Sequence, residues 1–302
     1  MALKQIKNKI VATKKTGKVT KAMESVSAVK MRKSQERAFQ SRPYVHAAMK
    51  ILARVAQSEA LTSHPLAKSR PGNTHLLVVV TSDKGLAGSV NSAVLKKVEL
   101  LKSGGASFAM VAVGRKAVEF AGREGITLLG QYTNVGDEVT LADVYEISRL
   151  VVEAFKANES YAKVEVVYQN FISTFEQEPT LRQVLPLNPA EVRDIMTGIR
   201  PKTGKFSDDT IAPDTVIDHT IEPDATTVFN ALIPQLVQII LFHAFLENKA
   251  SEHSARMVAM KNATDKSKEV VKSLTIKFNK ARQAKITAEI SEITAGAEAM
   301  KT

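Results

Sequence analysis

The sequence of 302 residues contains no cysteine and no tryptophan, and only 5% of it is aromatic. Without a thiol there is no disulfide framework, thiolate metal site or cysteine nucleophile, and thiol redox chemistry is excluded. Long apolar runs are also missing. The nearest approach to a membrane span, residues 236–246, is too short and is interrupted by Gln238 and His243. The amino end, MALKQIKNKI, lacks the apolar core of a signal peptide. Being acid-poor and amphipathic it imitates an organelle presequence, but the pattern continues far beyond presequence length. What remains, 44% apolar and 24% charged residues, suits a globular chain with a sizeable core.

Acidic residues are scarce at the ends of the chain. Residues 1–57 carry 14 Lys/Arg against only Glu24 and Glu36, a charge of +12. Residues 58–225 carry 17 basic and 22 acidic residues (−5), and residues 226–302 carry 11 against 7 (+4), giving the overall +11. Two basic ends around a mildly acidic middle point to an acidic partner: nucleic acid, an anionic membrane surface or an acidic protein collar.

Glycine and proline are absent from Gln235 to Ala295, 61 residues rich in Ala, Lys, Glu, Met and Leu. This predicts one helix of roughly 90 Å. Within it Met257, Met260, Thr264, Ser267, Val271, Leu274, Phe278 and Ala281 alternate steps of three and four, the spacing of a coiled-coil seam. Ile286, Ile290 and Ile293 continue one position out of register. So long a helix needs a companion, and residues 1–57 supply it. Leu3, Ile6, Ile10, Val19, Met23, Val26 and Val29 lie at helical spacing, with small residues between them and Gly17 the only breaker before Pro43. Pro43 is expected to kink or restart that helix rather than end it.

The middle reads as an alternation of strands and helices. LLVVVTS (76–82), FAMVAVG (108–114), ITLLGQY (126–132) and KVEVVYQNF (163–171) are β-rich, the stretch 141–158 is helical, and 182–187 suggests an edge strand. The expected fold is therefore α/β: a long antiparallel coiled coil from the N- and C-terminal helices, plus a Rossmann-like α/β domain with a mainly parallel sheet. The boundaries are a shaft helix at 1–57, the α/β domain at 74–190, an irregular connector at 191–225 and a second shaft helix at 226–302.

The chemistry-bearing candidates are weak. TSDKGLAGSVN (81–91) places Lys84 before Gly85 and Gly88, whereas a phosphate loop needs the lysine after its second glycine, and no dinucleotide fingerprint is present. The structural expectation is that Asp83 caps a helix while Gly85 and Gly88 permit a tight turn. The histidines at 46, 64, 75, 219, 243 and 253 show no metal-ligand spacing, and His243 and His253 are expected to pack or to be exposed rather than to catalyse. Neither a metal nor a cofactor is implied. Lys30, Arg32, Lys33 and Arg37, and Lys277, Lys280, Arg282 and Lys285, outnumber nearby acids beyond what solubility requires. An acidic protein partner fits them better than nucleic acid, which lacks an aromatic platform and a basic-zipper arrangement here. A Rossmann-like nucleotide-binding enzyme and a basic coiled-coil nucleic-acid binder are the two competing readings.

KVTKAMESVSAVKMRKSQ (18–35), SDKGLAG (82–88), EPD (222–224), ASEHSARMVAMKNAT (250–264) and FNKARQAKIT (278–287) together resemble the gamma subunit of F-type ATP synthases. The chain departs from that pattern at Ala87, at Ser89 and in a longer 191–221 segment, and it lacks the cysteine-bearing regulatory insert of chloroplast members. The resemblance implies a non-catalytic rotor shaft inside a hexamer of alpha and beta subunits, with the α/β domain on the membrane c-subunit ring and holding an epsilon-type subunit. By the same resemblance Arg282, Gln283 and Thr287 engage a loop of beta, while Met23, Lys30, Arg32, Lys33 and Arg256 lie near an acidic lever of beta. His219 and Ile221 fall near the ring. The implied location is peripheral, on the cytoplasmic face of a bacterial inner membrane or the matrix side of the mitochondrial one. A family alignment that starts at Met1 favours a bacterial or a mature organellar chain.

Overall fold

The computed structural model describes residues 3–55, 64–187 and 224–300, with side chains left aside at 39, 41–55, 225 and 298. The elements run α1 (Leu3–Val55), β1 (Thr74–Val80), α2 (Val90–Ser103), β2 (Ser107–Val113), α3 (Arg115–Glu124), β3 (Leu128–Tyr132), α4 (Leu141–Ala157), β4 (Tyr161–Phe171), β5 (Gln177–Leu185) and α5 (Ala225–Ala299). The chain divides into two units. One comprises residues 1–26 and 257–302, the other residues 27–256, so each long helix contributes to both.

In the second unit the sheet order is β3-β2-β1-β4-β5. β1 pairs in parallel with β2 and β4, and β2 with β3, whereas β5 closes the edge antiparallel to β4. β1 is buried from Leu76 to Val80, and both of its faces are apolar because both are covered. Leu77, Val79, Met110 and Ala112 pack on one face against Val94 and Val98 of α2 and Phe120 of α3. Leu76, Val78, Val80, Val164 and Val166 pack on the other against Val144, Ile147 and Val151 of α4 and Phe229 to Leu246 of α5.

Local chemistry sets the element ends. Thr140 and Asp143 form a reciprocal capping box that starts α4, and Gly125, at φ +63°, ends α3 in the left-handed conformation. The edge strand is longer than the sequence suggests. α5 begins at Ala225, within one residue of the expected boundary at 226, and passes through Pro234, ten residues ahead of the unbroken run from Gln235. Asp224, the last residue of EPD, accepts from the backbone N–H of Thr227 at 2.9 Å and from its hydroxyl at 2.7 Å, and so provides the start. α1 likewise continues across Pro43. An 18-residue window of α5 is, against the sequence expectation, long and apolar enough to cross a membrane, but 61% of that window is buried in the fold, as befits a core helix.

The first unit pairs the beginning of α1 with the latter part of α5. The predicted α5 seam is present: Met260 and Thr264 are buried, and Met257, Ser267, Val271, Leu274, Phe278 and Ala281 are half-buried. On α1 the seam differs from the expected one. Its inward positions are Ile6, Ile10, Thr13, Gly17, Thr20 and Glu24, again in alternating steps of three and four, whereas Val19 and Val26 are more than half exposed. Leu3, Ile6, Ile10 and Met23 turn inward as expected, but the inward residues between Ile10 and Met23 are small or polar, and the apolar Val19 and Val26 lie on the outer face.

Candidate functional site

Two contacts fix the register of the shaft. Thr20 and Thr264 bring their hydroxyls to 2.7 Å, and a Cβ added at Gly17 would stand 3.3 Å from that of Ser267. In an antiparallel pair these contacts set Thr13 level with Val271, Ile10 with Leu274, Ile6 with Phe278 and Leu3 with Ala281. Small residues at the crossing let the backbones approach closely and leave an open groove of about 620 Å³, floored by Thr13, Gly17 and Ser267 and edged by Lys18, Lys21 and Lys268.

By that register α5 outruns α1 after about residue 283, and from Arg282 to Met300 every residue whose side chain is described is exposed. This lone segment carries Ile286, Ile290 and Ile293, at 46%, 58% and 72% exposure. It also carries Arg282, Gln283 and Thr287, the family-matched contact residues. Lys285 is not free of acids as the sequence reading held, because Glu289 lies one turn on, at 3.3 Å. An exposed apolar stripe on a single helix is poorly stabilised in water alone and marks a surface for a partner.

The family-matched residues of the second unit, Arg32 apart, are engaged within the chain. Lys30 donates to Asp137, Lys33 lies 3.4 Å from Glu138, and Arg37 bonds Glu138 at 2.7 Å. The surplus of positive charge on α1 is thus partly answered by the β3–α4 loop, a hundred residues away in sequence. Burial pushes the Asp137 carboxyl up, but the Lys30 hydrogen bond, the His253 charge and the Lys30 and Lys249 charges outweigh it and hold it below the usual carboxylate range. Arg32 is exposed and has no ion pair among the described residues, and Met23, in the first unit, is half-buried. His219 and Ile221, with most of the expected connector, lie outside the described residues.

Arg256 is 7% exposed and bonds Glu252 at 2.6 Å, His253 Nδ1 at 3.3 Å and the Gly85 carbonyl at 3.3 Å. The loop that it grips differs in detail from the sequence expectation. Asp83 does cap a helix, but it is α3 rather than the helix that follows: its Oδ1 accepts from the Arg115 N–H at 2.9 Å. Gly88 takes φ +61°, whereas Gly85 needs no unusual angle; the left-handed residue beside it is Leu86, at φ +62° and 66% exposed. Lys84, with Asp83, Asp137, Lys249 and Glu252, lines a cavity of about 170 Å³.

In doubly wound sheets, ligands bind beyond the carboxyl ends of the strands where the strand order reverses, here between β1 and β4. That crevice is filled by α5. Asn248 accepts from the Gln169 N–H at 3.1 Å, Ser251 donates to the Gln169 carbonyl at 3.0 Å, and Ser254 donates to the Thr174 carbonyl at 2.6 Å. Arg256 closes the β1 side through Gly85. His243 and His253 are buried in this packing, as expected. The sequence shows ASEHSAR as a motif but gives no sign that its polar residues plug a sheet.

The comparisons with known proteins agree with this anatomy. A solved central stalk of the mitochondrial ATP synthase from Tetrahymena thermophila shares the fold at 23% identity, with a TM-score of 0.58 over 81% of this chain and 99% of that one. A chain of the Euglena gracilis mitochondrial ATP synthase shares it at 18% identity, with a TM-score of 0.64 over 99% and 94%. Curated ATP synthase gamma chains are 35% identical in Pelotomaculum thermopropionicum, over 99% of both chains, and 38% identical in Ralstonia nicotianae, over 98% of this chain and 99% of the relative. The family profile described as ATP synthase matches residues 2–300. With the profile spanning nearly the whole chain and the curated relatives matching it end to end, the chain belongs to the ATP synthase gamma chain family.

Proposed function

We propose that this chain is the central shaft of an F-type ATP synthase, carrying rotation between a membrane c-subunit ring and a catalytic hexamer of alpha and beta subunits, and so coupling ion flow to ATP synthesis. The observation that carries the reading is the helix end from Arg282 onward, whose isoleucines have no companion among the described residues. Inside a hexameric sleeve they would be covered. The outward Val11, Val19 and Val26 would face the same sleeve.

The shaft itself is non-catalytic in this reading. The filling of the β1–β4 crevice by α5 favours a scaffold over the Rossmann-like enzyme. A rotor that contacted the three beta subunits alike could bias none of them, since only differential interaction shifts an equilibrium. Arg282, Gln283, Thr287, Met23 and Arg32 would meet beta directly. Lys30, Lys33 and Arg256, tied to Asp137, Glu138 and Glu252, would shape the surface as much as touch the partner. The α/β domain, with His219 and Ile221, would serve the ring and an epsilon-type subunit. The complex would be peripheral to the membrane, on the cytoplasmic face in a bacterium.

Reconstitution tests the reading. Alpha and beta subunits mixed with the full chain should form a complex whose ATPase activity exceeds that of alpha and beta alone. Failure to co-purify with them, or retention of nucleic acid in a competitor-resistant complex, would overturn it.

A further inference from the structure

Four separately placed pieces of the second unit meet around one imidazole. His253 on α5 is 2% exposed. Its Nε2 lies 3.2 Å from Asp137 Oδ1 of the β3–α4 loop, and its Nδ1 lies 3.3 Å from Nη1 of Arg256. Asp137 is in turn bonded by Lys30 of α1, and Arg256 reaches the Gly85 carbonyl of the β1–α2 loop. On its own helix His253 is flanked by Lys249, Glu252 and Arg256, while Asp83 and Lys84 face Asp137 and Glu252 across the small cavity.

The protonation state follows from donor counting. A guanidinium has donors and no acceptor, so the ring nitrogen that it bonds must be unprotonated. The hydrogen of the neutral ring is then on Nε2, which lies close to the Asp137 carboxylate without forming a hydrogen bond to it. A second proton can enter only at Nδ1, where it would point at a cation. It would remove the bond from Arg256 and set two positive charges within 4 Å in a buried place. Arg256 would have to move, and the Gly85 carbonyl would lose the side chain that reaches it.

We infer that His253 is a positioning residue for Arg256, and that protonation of His253 releases Arg256 and with it the loop that displays Leu86. The device senses acid, not alkali. Burial lowers the affinity of His253 for a proton below the ordinary value of 6.5; Glu252 and Asp137 oppose this, and Arg256 and Lys249 reinforce it. The neutral, gripping form therefore prevails at neutral pH, and the grip is lost only as pH falls through the lowered, folded-state value of His253. Glu252 keeps its bond to Arg256 in either state, so the expected change is a re-aimed guanidinium rather than an unfolded helix.

Hydrogen exchange on the full chain tests the inference, with rates corrected for the intrinsic effect of pH and read on peptides covering residues 82–89. Between about pH 7.5 and pH 4.5 the parent should lose protection there several-fold. His253→Gln, which supplies a donor and an acceptor but does not titrate, should keep the protection of the parent at pH 7.5 and show no such loss in acid. Equal loss in both proteins, or none in the parent, overturns the proposal. If the variant does not fold, nitrogen-15 spectra of histidine in the parent decide: the Nε2–H form of His253 at neutral pH supports the proposal, and the Nδ1–H form contradicts it.

Discussion

Thr20 and Thr264, 244 residues apart, share a hydrogen bond of 2.7 Å in the middle of the shaft seam. Both hydroxyls also lie near carbonyls of their own helices, Thr20 at 3.1 Å from Gly17 and Thr264 at 2.8 Å from Met260. Two hydroxyls have two hydrogens for these three contacts. One hydroxyl therefore donates across the seam while the other donates to its own helix, and either can take either part. Each hydroxyl has a partner, but an oily ladder of leucines is missing from this crossing. A seam of this kind holds two helices close while gaining little from apolar burial, which leaves the pair dependent on what surrounds it.

That dependence gives the first prediction. Gly17→Leu drives a branched side chain into Ser267, where even a Cβ would sit at 3.3 Å, and should destabilise the shaft by about 1–3 kcal/mol. Gly17→Ala is closer to balance, because the tight contact offsets a helix-propensity gain of about 1 kcal/mol. Thermal unfolding followed by circular dichroism separates the two. A Leu variant as stable as the parent would mean that the helices are not in contact there.

Gly114 provides a second test, in the α/β domain. It takes φ +88°, and a Cβ there would lie 2.3 Å from the Thr81 carbonyl oxygen, which is backbone and cannot step aside. Gly114→Ala combines left-handed strain with a clash and should cost roughly 3 kcal/mol or more in urea unfolding. Gly122→Ala, with nothing within 4 Å of its added Cβ, is the control and should be neutral or stabilising.

Asp137 carries a pH prediction. Its pKa is lowered by folding, so its contribution is fully present above the unfolded value of 3.8 and disappears as pH falls through the lower, folded value. Asp137→Asn should therefore cost about 1 kcal/mol at pH 7, and the gap to the parent should narrow below pH 3.8. A gap that stays constant down to pH 2 would remove Lys30–Asp137 from the account of stability.

Charge reversals on α1 should behave differently from one another. Read from the sequence, Lys30, Arg32 and Lys33 are equivalent partner-facing cations. The structure separates them, since Lys30 and Lys33 have intramolecular acids and Arg32 has none among the described residues. Arg32→Glu should leave the stability of the isolated chain within a few tenths of a kcal/mol while weakening assembly with alpha and beta at low salt, an effect that salt screens. Lys30→Glu should cost about 1 kcal/mol in the isolated chain as well. Equal assembly by the Arg32 variant and the parent at low ionic strength would remove that residue from the interface.

The sheet was legible because β-branched runs bounded by glycines have few other readings, and the α5 seam because its apolar residues keep the three–four spacing. The α1 seam was legible only at Leu3, Ile6, Ile10 and Met23. Thr13, Gly17 and Thr20 carry no apolar signal, and Val19 and Val26 carry it on the wrong face. Pro234 bounded the unbroken helical run read at Gln235, whereas the start of α5 rests on the side chain of Asp224. The partners of Lys30 and Arg256 depend on contacts more than a hundred residues away in sequence, Asp137 for one and Gly85 for the other, and local patterning cannot report them. The family resemblance supplied residue roles that spacing alone did not.

The central claim is that a continuous helix transmits torque, and Val271→Pro tests it most directly. Proline there removes a backbone hydrogen bond and clashes with the preceding turn, a local cost of about 3 kcal/mol or more. It does so opposite Thr13 and leaves the α/β sheet untouched. In the assembled, membrane-bound complex the variant is predicted to hydrolyse ATP without driving ions across the membrane in step. Ion pumping per ATP equal to that of the parent would contradict the shaft account.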